Sequence, residues 1–139
     1  MNRIILVGNG FDLAHNLRTS YKNFIEWYWN GYGEKLKNST KTYEESIFVN
    51  ANITTSRHYS SWESYYEKRG CKSVLEFTKA LRKETSIFRY NSKFFESINK
   101  SIESKGWVDI ENEYYNQLIN RHSLELLNTH LECLRDLLI

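Results

Sequence analysis

Apolar positions follow two rhythms along this chain. Residues 4–7 (Ile4, Ile5, Leu6, Val7) form an unbroken apolar run stopped by Gly8. A strand apolar on both faces belongs in a parallel sheet covered by helices. Beyond it the spacing turns helical. Tyr21, Phe24, Ile25 and Tyr28 fall at i, i+3, i+4 and i+7, with Thr19 or Ser20 as N-cap and Gly31 and Gly33 as stops. Between residues 34 and 60 two patterns compete. Thr42 with Glu45 suits a capping box, while residues 47–53 read as a short strand. Ser60 with Glu63 predicts a helix carrying Trp62, Tyr65 and Tyr66 and ending at Gly70. Ser73 with Glu76 is a cleaner capping box ahead of Val74, Phe77 and Leu81. Ile87, Phe94, Phe95, Ile98 and Ile102 extend a helical stripe to Gly106. From about Asp109 onward Ile110, Tyr114, Leu118, Leu124, Leu127, Leu131, Leu134 and Leu138 predict the longest helix of all.

These patterns predict an α/β fold, mostly helical with a small parallel sheet. The N-terminal strand, loop and helix are Rossmann-like. Residues 1–139 are expected to form a single domain with no linker and no repeat. One parallel strand cannot satisfy its backbone N–H and C=O groups alone, and the last apolar pattern runs to Ile139 without a cap. The expectation is therefore an incomplete fold, the N-terminal portion of a longer protein.

Composition sharpens this in three places. The chain has no proline, where average usage gives about seven, so nothing of that kind interrupts a long helix. Aromatic residues make up 15%, which argues against disorder. The 19 basic and 17 acidic residues give a net charge of +2 without a block of like charge, so nucleic acid is not a favoured partner. Cys71 and Cys133 stand apart, and His15, His58, His122 and His130 lack zinc-ligand spacing, so no metal is expected. No apolar stretch approaches a membrane span. A cytoplasmic protein with no membrane partner is expected.

Candidate chemistry begins where the first strand ends. Gly8, Asn9, Gly10, Phe11 and Asp12 lie between the expected strand and helix. Glycines there can adopt positive φ and let backbone N–H groups approach an anion, and a helix N-terminus adds its positive end. Asp12 is placed to accept from a ribose hydroxyl or to position a water. Thr19 and Ser20 can donate to a phosphate as well as cap the helix. Leu13 stands where the dinucleotide fingerprint has its third glycine, and the absence of Gly-Lys-Ser/Thr excludes a P-loop. The competing reading is a tight strand exit whose glycines serve only the backbone.

The stretch Ile5-Leu6-Val7-Gly8-Asn9-Gly10-Phe11-Asp12-Leu13-Ala14-His15-Asn16-Leu17-Arg18-Thr19-Ser20-Tyr21-Lys22-Asn23-Phe24 resembles the opening of the AbiH family of bacteriophage abortive-infection proteins. Trp107-Val108-Asp109-Ile110-Glu111-Asn112 is similar to that family's Trp-x-Asp-x-Glu segment. More distantly, Gly8, Gly10, Ala14, Leu17, Ser20 and Tyr21 resemble the first strand and loop of sirtuin-like NAD-binding domains, with Asn16 and Arg18 replacing the usual Gly and Pro. That likeness implies a nucleotide ligand, NAD among the candidates. AbiH-like chains are usually longer and carry a later Phe-Asn-Tyr-Thr strand and His-Gly element, neither of which occurs after Trp107. The resemblance thus implies a bacterial parent that hydrolyses a nucleotide or NAD, and a chain that is inactive alone.

Asp109 has two readings. It is a good N-cap, with Glu111 complementing the helix dipole from the first turn. Alternatively Asp109 and Glu111 face a cleft and hold a ligand hydroxyl, a base or a water. Joint action then requires Asp109 to stand outside the helix, because residues two apart on a helix diverge. Asp12, Asp109 and Glu111 are the catalytic candidates. The leading expectation is a nucleotide-binding phage-defence protein, with NAD or another nucleotide as its ligand. Two alternatives remain open. One is a non-enzymatic interaction module in which the 110–139 helix packs on a second copy or on a missing C-terminal part. The other is an RNA-directed toxin using Asp109 and Glu111.

Overall fold

The computed structural model describes residues 20–39, 42–45, 47–120 and 123–138. Its first element, α1 (Tyr21–Lys37), begins where the sequence predicts: Ser20 is extended, and its Oγ accepts from the Asn23 N–H at 3.2 Å. The helix does not stop at Gly31 or Gly33 but runs through both. The reason is packing. A Cβ on Gly33 would lie 2.4 Å from Val74 Cγ1 and 2.7 Å from Thr78 Cγ2, so this glycine lets another helix press against α1. The contact offsets the roughly 1 kcal/mol that glycine loses to alanine in a helix.

Residues 42–52 resolve the competition in favour of strands. β1 (Thr42–Glu45) and β2 (Val49–Asn52) pair antiparallel, Thr42 opposite Asn52 and Glu45 opposite Val49. β3 (Phe88–Tyr90) adds to the other side of β2, with Ala51 opposite Phe88 and Val49 opposite Tyr90. The sheet of the described residues is thus antiparallel, in the order β1-β2-β3, and the expectation of a small parallel sheet is corrected there. Val49 and Ala51 face the core while Asn50 and Asn52 are half-buried, the alternation of a sheet covered on one side. The apolar run at residues 4–7 lies outside the described residues.

The remaining helices pack around that sheet. α2 (Trp62–Lys68) is capped by Ser61, one residue later than expected, and closes at Gly70 with φ +62°. α3 (Val74–Leu81) uses the Ser73 cap, while Glu76 reaches the Lys72 N–H at 2.7 Å. The stripe read from Ile87 to Ile102 is split. Residues 88–90 are strand, and α4 (Lys93–Lys105) starts afresh from the Ser92 cap and ends at Gly106 in the left-handed region. The final long helix is also two: α5 (Ile110–Ile119) and α6 (Leu124–Leu138). Leu118 and Leu124 are six positions apart, about 1.7 turns, so the stripe slips there. Asn120 closes α5, and Ser123 Oγ accepts from the Leu126 N–H at the start of α6. The two then meet, with the Tyr114 hydroxyl donating to Asn128 Oδ1 at 2.5 Å.

The core is aromatic. Phe48 stacks on Phe95 with centroids 4.6 Å apart, and Tyr28 meets both edge-on. Trp29 is almost wholly buried, and its Nε1–H donates to Asn99 Oδ1 at 2.6 Å. α1 packs on α2 and α3, and α4 carries α5 and α6. Among the described residues no helix is long and apolar enough to cross a membrane.

Candidate functional site

Of the residues expected to hold a phosphate, Gly8, Asn9, Gly10, Phe11, Asp12 and Thr19 lie outside the described residues. Ser20 is described, and its geometry is informative. Its Oγ accepts the Asn23 N–H, which leaves the hydroxyl proton for another acceptor. No acidic residue occupies the first turn of α1, whereas α2 to α6 carry Glu63, Glu76, Glu96, Glu111 with Glu113, and Glu125 there. The positive end of α1 is therefore uncompensated by a side chain of its own first turn.

Asp109 and Glu111 come together at a second place. Asp109 is extended (φ −99°, ψ 101°) and lies outside α5, as joint action requires, with Oδ1 accepting from the Asn112 N–H at 3.0 Å. Both carboxylates line an open groove of about 580 Å³, together with Tyr114, Tyr115 and Leu118 of α5 and Leu131 of α6. Tyr115 is 60% exposed and Trp107 59%. Lys105 Nζ sits 5.8 Å above the Trp107 ring. The groove thus sets Asp109 and Glu111 among apolar and aromatic side chains, a combination suited to a ligand with hydroxyls and a flat ring. Ser20 does not line it. The strand above whose end sequence reasoning put Asp109 and Glu111 lies outside the described residues; among the described residues the two line this groove between two helices.

Sequence reasoning missed Tyr115 and Leu131 as walls. An unbroken helix would hold residues 111 and 131 about 30 Å apart; only the break near Asn120 brings α6 back over α5. The slipped stripe and Ser123 were the available signals.

A serine and a histidine also meet, though not as a catalytic pair. Ser92 Oγ accepts from the Phe95 N–H and lies at hydrogen-bond distance, 3.0 Å, from His130 Nδ1. Both are buried, and burial holds the His130 pKa below the ordinary histidine value. The pair pins α6 to the start of α4. Among the described residues no three His, Cys, Asp or Glu side chains gather as metal ligands would.

The model of a family described as "Bacteriophage abortive infection AbiH" matches residues 4–137. The chain belongs to the AbiH family. The match spans the glycine-rich opening and the Trp107 segment, and it also covers the intervening residues that motif reading left unmatched. AbiH membership implies a role in phage abortive infection. No curated protein and no solved structure matches the chain.

Proposed function

We propose that this AbiH-family chain binds a nucleotide, with NAD the first candidate, through residues 8–20. The observation that carries the reading is the start of α1. A glycine-rich segment leads into a 17-residue helix whose first turn holds no acid and whose N-cap Ser20 keeps a hydroxyl proton to donate. Anions are held well at such helix ends. In this reading Gly8, Asn9, Gly10 and Phe11 supply backbone N–H groups, Asp12 accepts from a ribose hydroxyl, and Thr19 and Ser20 donate to phosphate. Asp109 and Glu111 serve hydroxyls or a water from the α5–α6 groove. Asp12, Asp109 and Glu111 are the candidates for bond-breaking chemistry in this reading.

Calorimetry of the full chain with NAD, ADP-ribose and ATP tests this. Binding of at least one, lost in Gly10→Val and weakened in Ser20→Ala, is expected. Heat from none of the three, or binding unchanged in Gly10→Val, would rule the reading out.

A second reading has one observation in its favour. Ile119, Leu124, Leu126, Leu131 and Leu137 are large apolar side chains left exposed on α5 and α6, a surface that a partner chain or a second copy would cover. Mass by light scattering that rises with concentration supports it, and a constant monomer mass removes it.

A further inference from the structure

α1, α3 and α4 enclose a groove of about 430 Å³ that the reading above does not use. Its floor is Trp29, held by the hydrogen bond to Asn99, whose own Nδ2 donates to the Phe95 carbonyl at 2.7 Å. Across that floor lies the Arg82 guanidinium, 4.4 Å from the ring centroid, and its side chain is only 12% exposed. One nitrogen, Nη2, pairs with Glu103 Oε1 at 2.9 Å. The other two, Nε and Nη1, are buried without an acceptor. A buried guanidinium with two unused donors is costly to keep, and turning toward an anion in the groove relieves that cost.

Lys22 of α1 and Lys79 of α3 also line the groove, and neither has an ion-pair partner among the described residues. Three carboxylates share the wall with these three cations: Glu103 is paired with Arg82, Glu76 accepts from the Lys72 N–H and keeps its charge, and Glu26 completes the set. The groove also reaches the first turn of α1 at Lys22, beside the helix end that lacks an acid. Burial lowers the Arg82 pKa, partly opposed by Tyr90 and then Glu103, yet a guanidinium stays charged in proteins.

We propose that this groove is a phosphate-binding site, with Arg82 as its anchor and Lys22 and Lys79 at its mouth. Glu103 acts as the stand-in that an incoming phosphate displaces from Nη2. The proposal is independent of the glycine-rich segment. The phosphate has two sources, a free inorganic ion or the phosphates of a nucleotide, and the test separates them.

The full chain is titrated with inorganic phosphate, pyrophosphate, ADP-ribose and adenosine, with circular dichroism as the check on folding. Phosphate or pyrophosphate binds and adenosine does not. Lys79→Ala weakens binding several-fold, Arg82→Gln weakens it tenfold or more, and Glu103→Gln strengthens it several-fold by removing the competitor. Strengthening is the decisive sign, because a merely structural Glu103 would give no gain. A nucleotide source makes ADP-ribose bind at least tenfold tighter than phosphate and compete with it; a free ion leaves ADP-ribose no tighter. Absence of phosphate and pyrophosphate binding overturns the proposal whatever NAD does. So does binding unchanged in Lys79→Ala together with no gain in Glu103→Gln. Nucleotide affinity lost in Gly10→Val but intact in Arg82→Gln and Lys79→Ala sinks the groove and leaves the glycine-rich segment standing, and the reverse pattern sinks the segment alone.

Discussion

The two halves of this molecule are built to different standards. Around α1, the sheet and α4, aromatic side chains are packed to near-complete burial, Trp29, Phe48, Phe94 and Phe95 among them. In the α5–α6 pair no residue of α5 is buried, and among the described side chains of α6 only Leu127, His130 and Leu134 are. That pair hangs on local ties: the Ser92–His130 bond, the Ser101 hydroxyl donating to Glu113, and Phe94 against Tyr114. Stability concentrates in the first region because apolar burial is its main source. The second region is left with open surface, and the Asp109–Glu111 groove lies there. A groove on a lightly anchored helix pair can change shape without unfolding the core.

Substitutions in the aromatic half should bring the largest losses. Phe95→Ala opens a cavity among the rings of Tyr28, Trp29, Phe48 and Tyr90 and should lower stability by about 3–5 kcal/mol in denaturant unfolding. A loss under 1 kcal/mol on that same order-of-magnitude scale would mean the core is looser than its burial implies. Next comes a pair of glycines in one helix. Gly33→Ala should destabilise by about 1–3 kcal/mol, since Val74 and Thr78 are stiff β-branched neighbours already inside contact distance. Gly31→Ala meets nothing within 4 Å and should stabilise by roughly 0.5–1 kcal/mol. Equal effects at the two positions would contradict the α1–α3 packing.

Acid should separate the two regions. His130 is held neutral by burial, with its pKa below the value it has when unfolded. Its contribution is therefore complete above about pH 6.5 and is lost as pH falls through the lower folded-state pKa. Hydrogen exchange at pH 7.5 and 5.5 should show α6 amides losing protection in acid while α1 amides keep theirs. Simultaneous loss in both helices would merge the regions into one cooperative unit. The smallest effect is expected on the exposed face of α6, where Leu131→Ser should change stability by no more than about 0.5 kcal/mol. Thermal unfolding is sufficient to check it.

Local chemistry was readable from the residues themselves. Ser20, Ser73, Asp109 and Gly106 act as the caps and stop they looked like, because capping depends on atoms three or four positions away. The first helix, the Ser73 helix and the position of Asp109 outside α5 followed from that. The family was readable too, since the Asn-Gly-Phe-Asp-Leu and Trp-x-Asp-x-Glu patterns are short and contiguous. Distant partners decided the rest. Gly33 looks like a terminator until Val74 is packed against it, and residues 88–90 look helical until β2 offers them hydrogen bonds. Leu131 faces Tyr115 only because α6 folds back. Arg82 carries no local signal at all: its floor is Trp29 and its counter-charge is Glu103, both far along the chain. Caps and motifs are written in neighbouring residues, whereas burial and pairing belong to surfaces that exist only after the chain has folded.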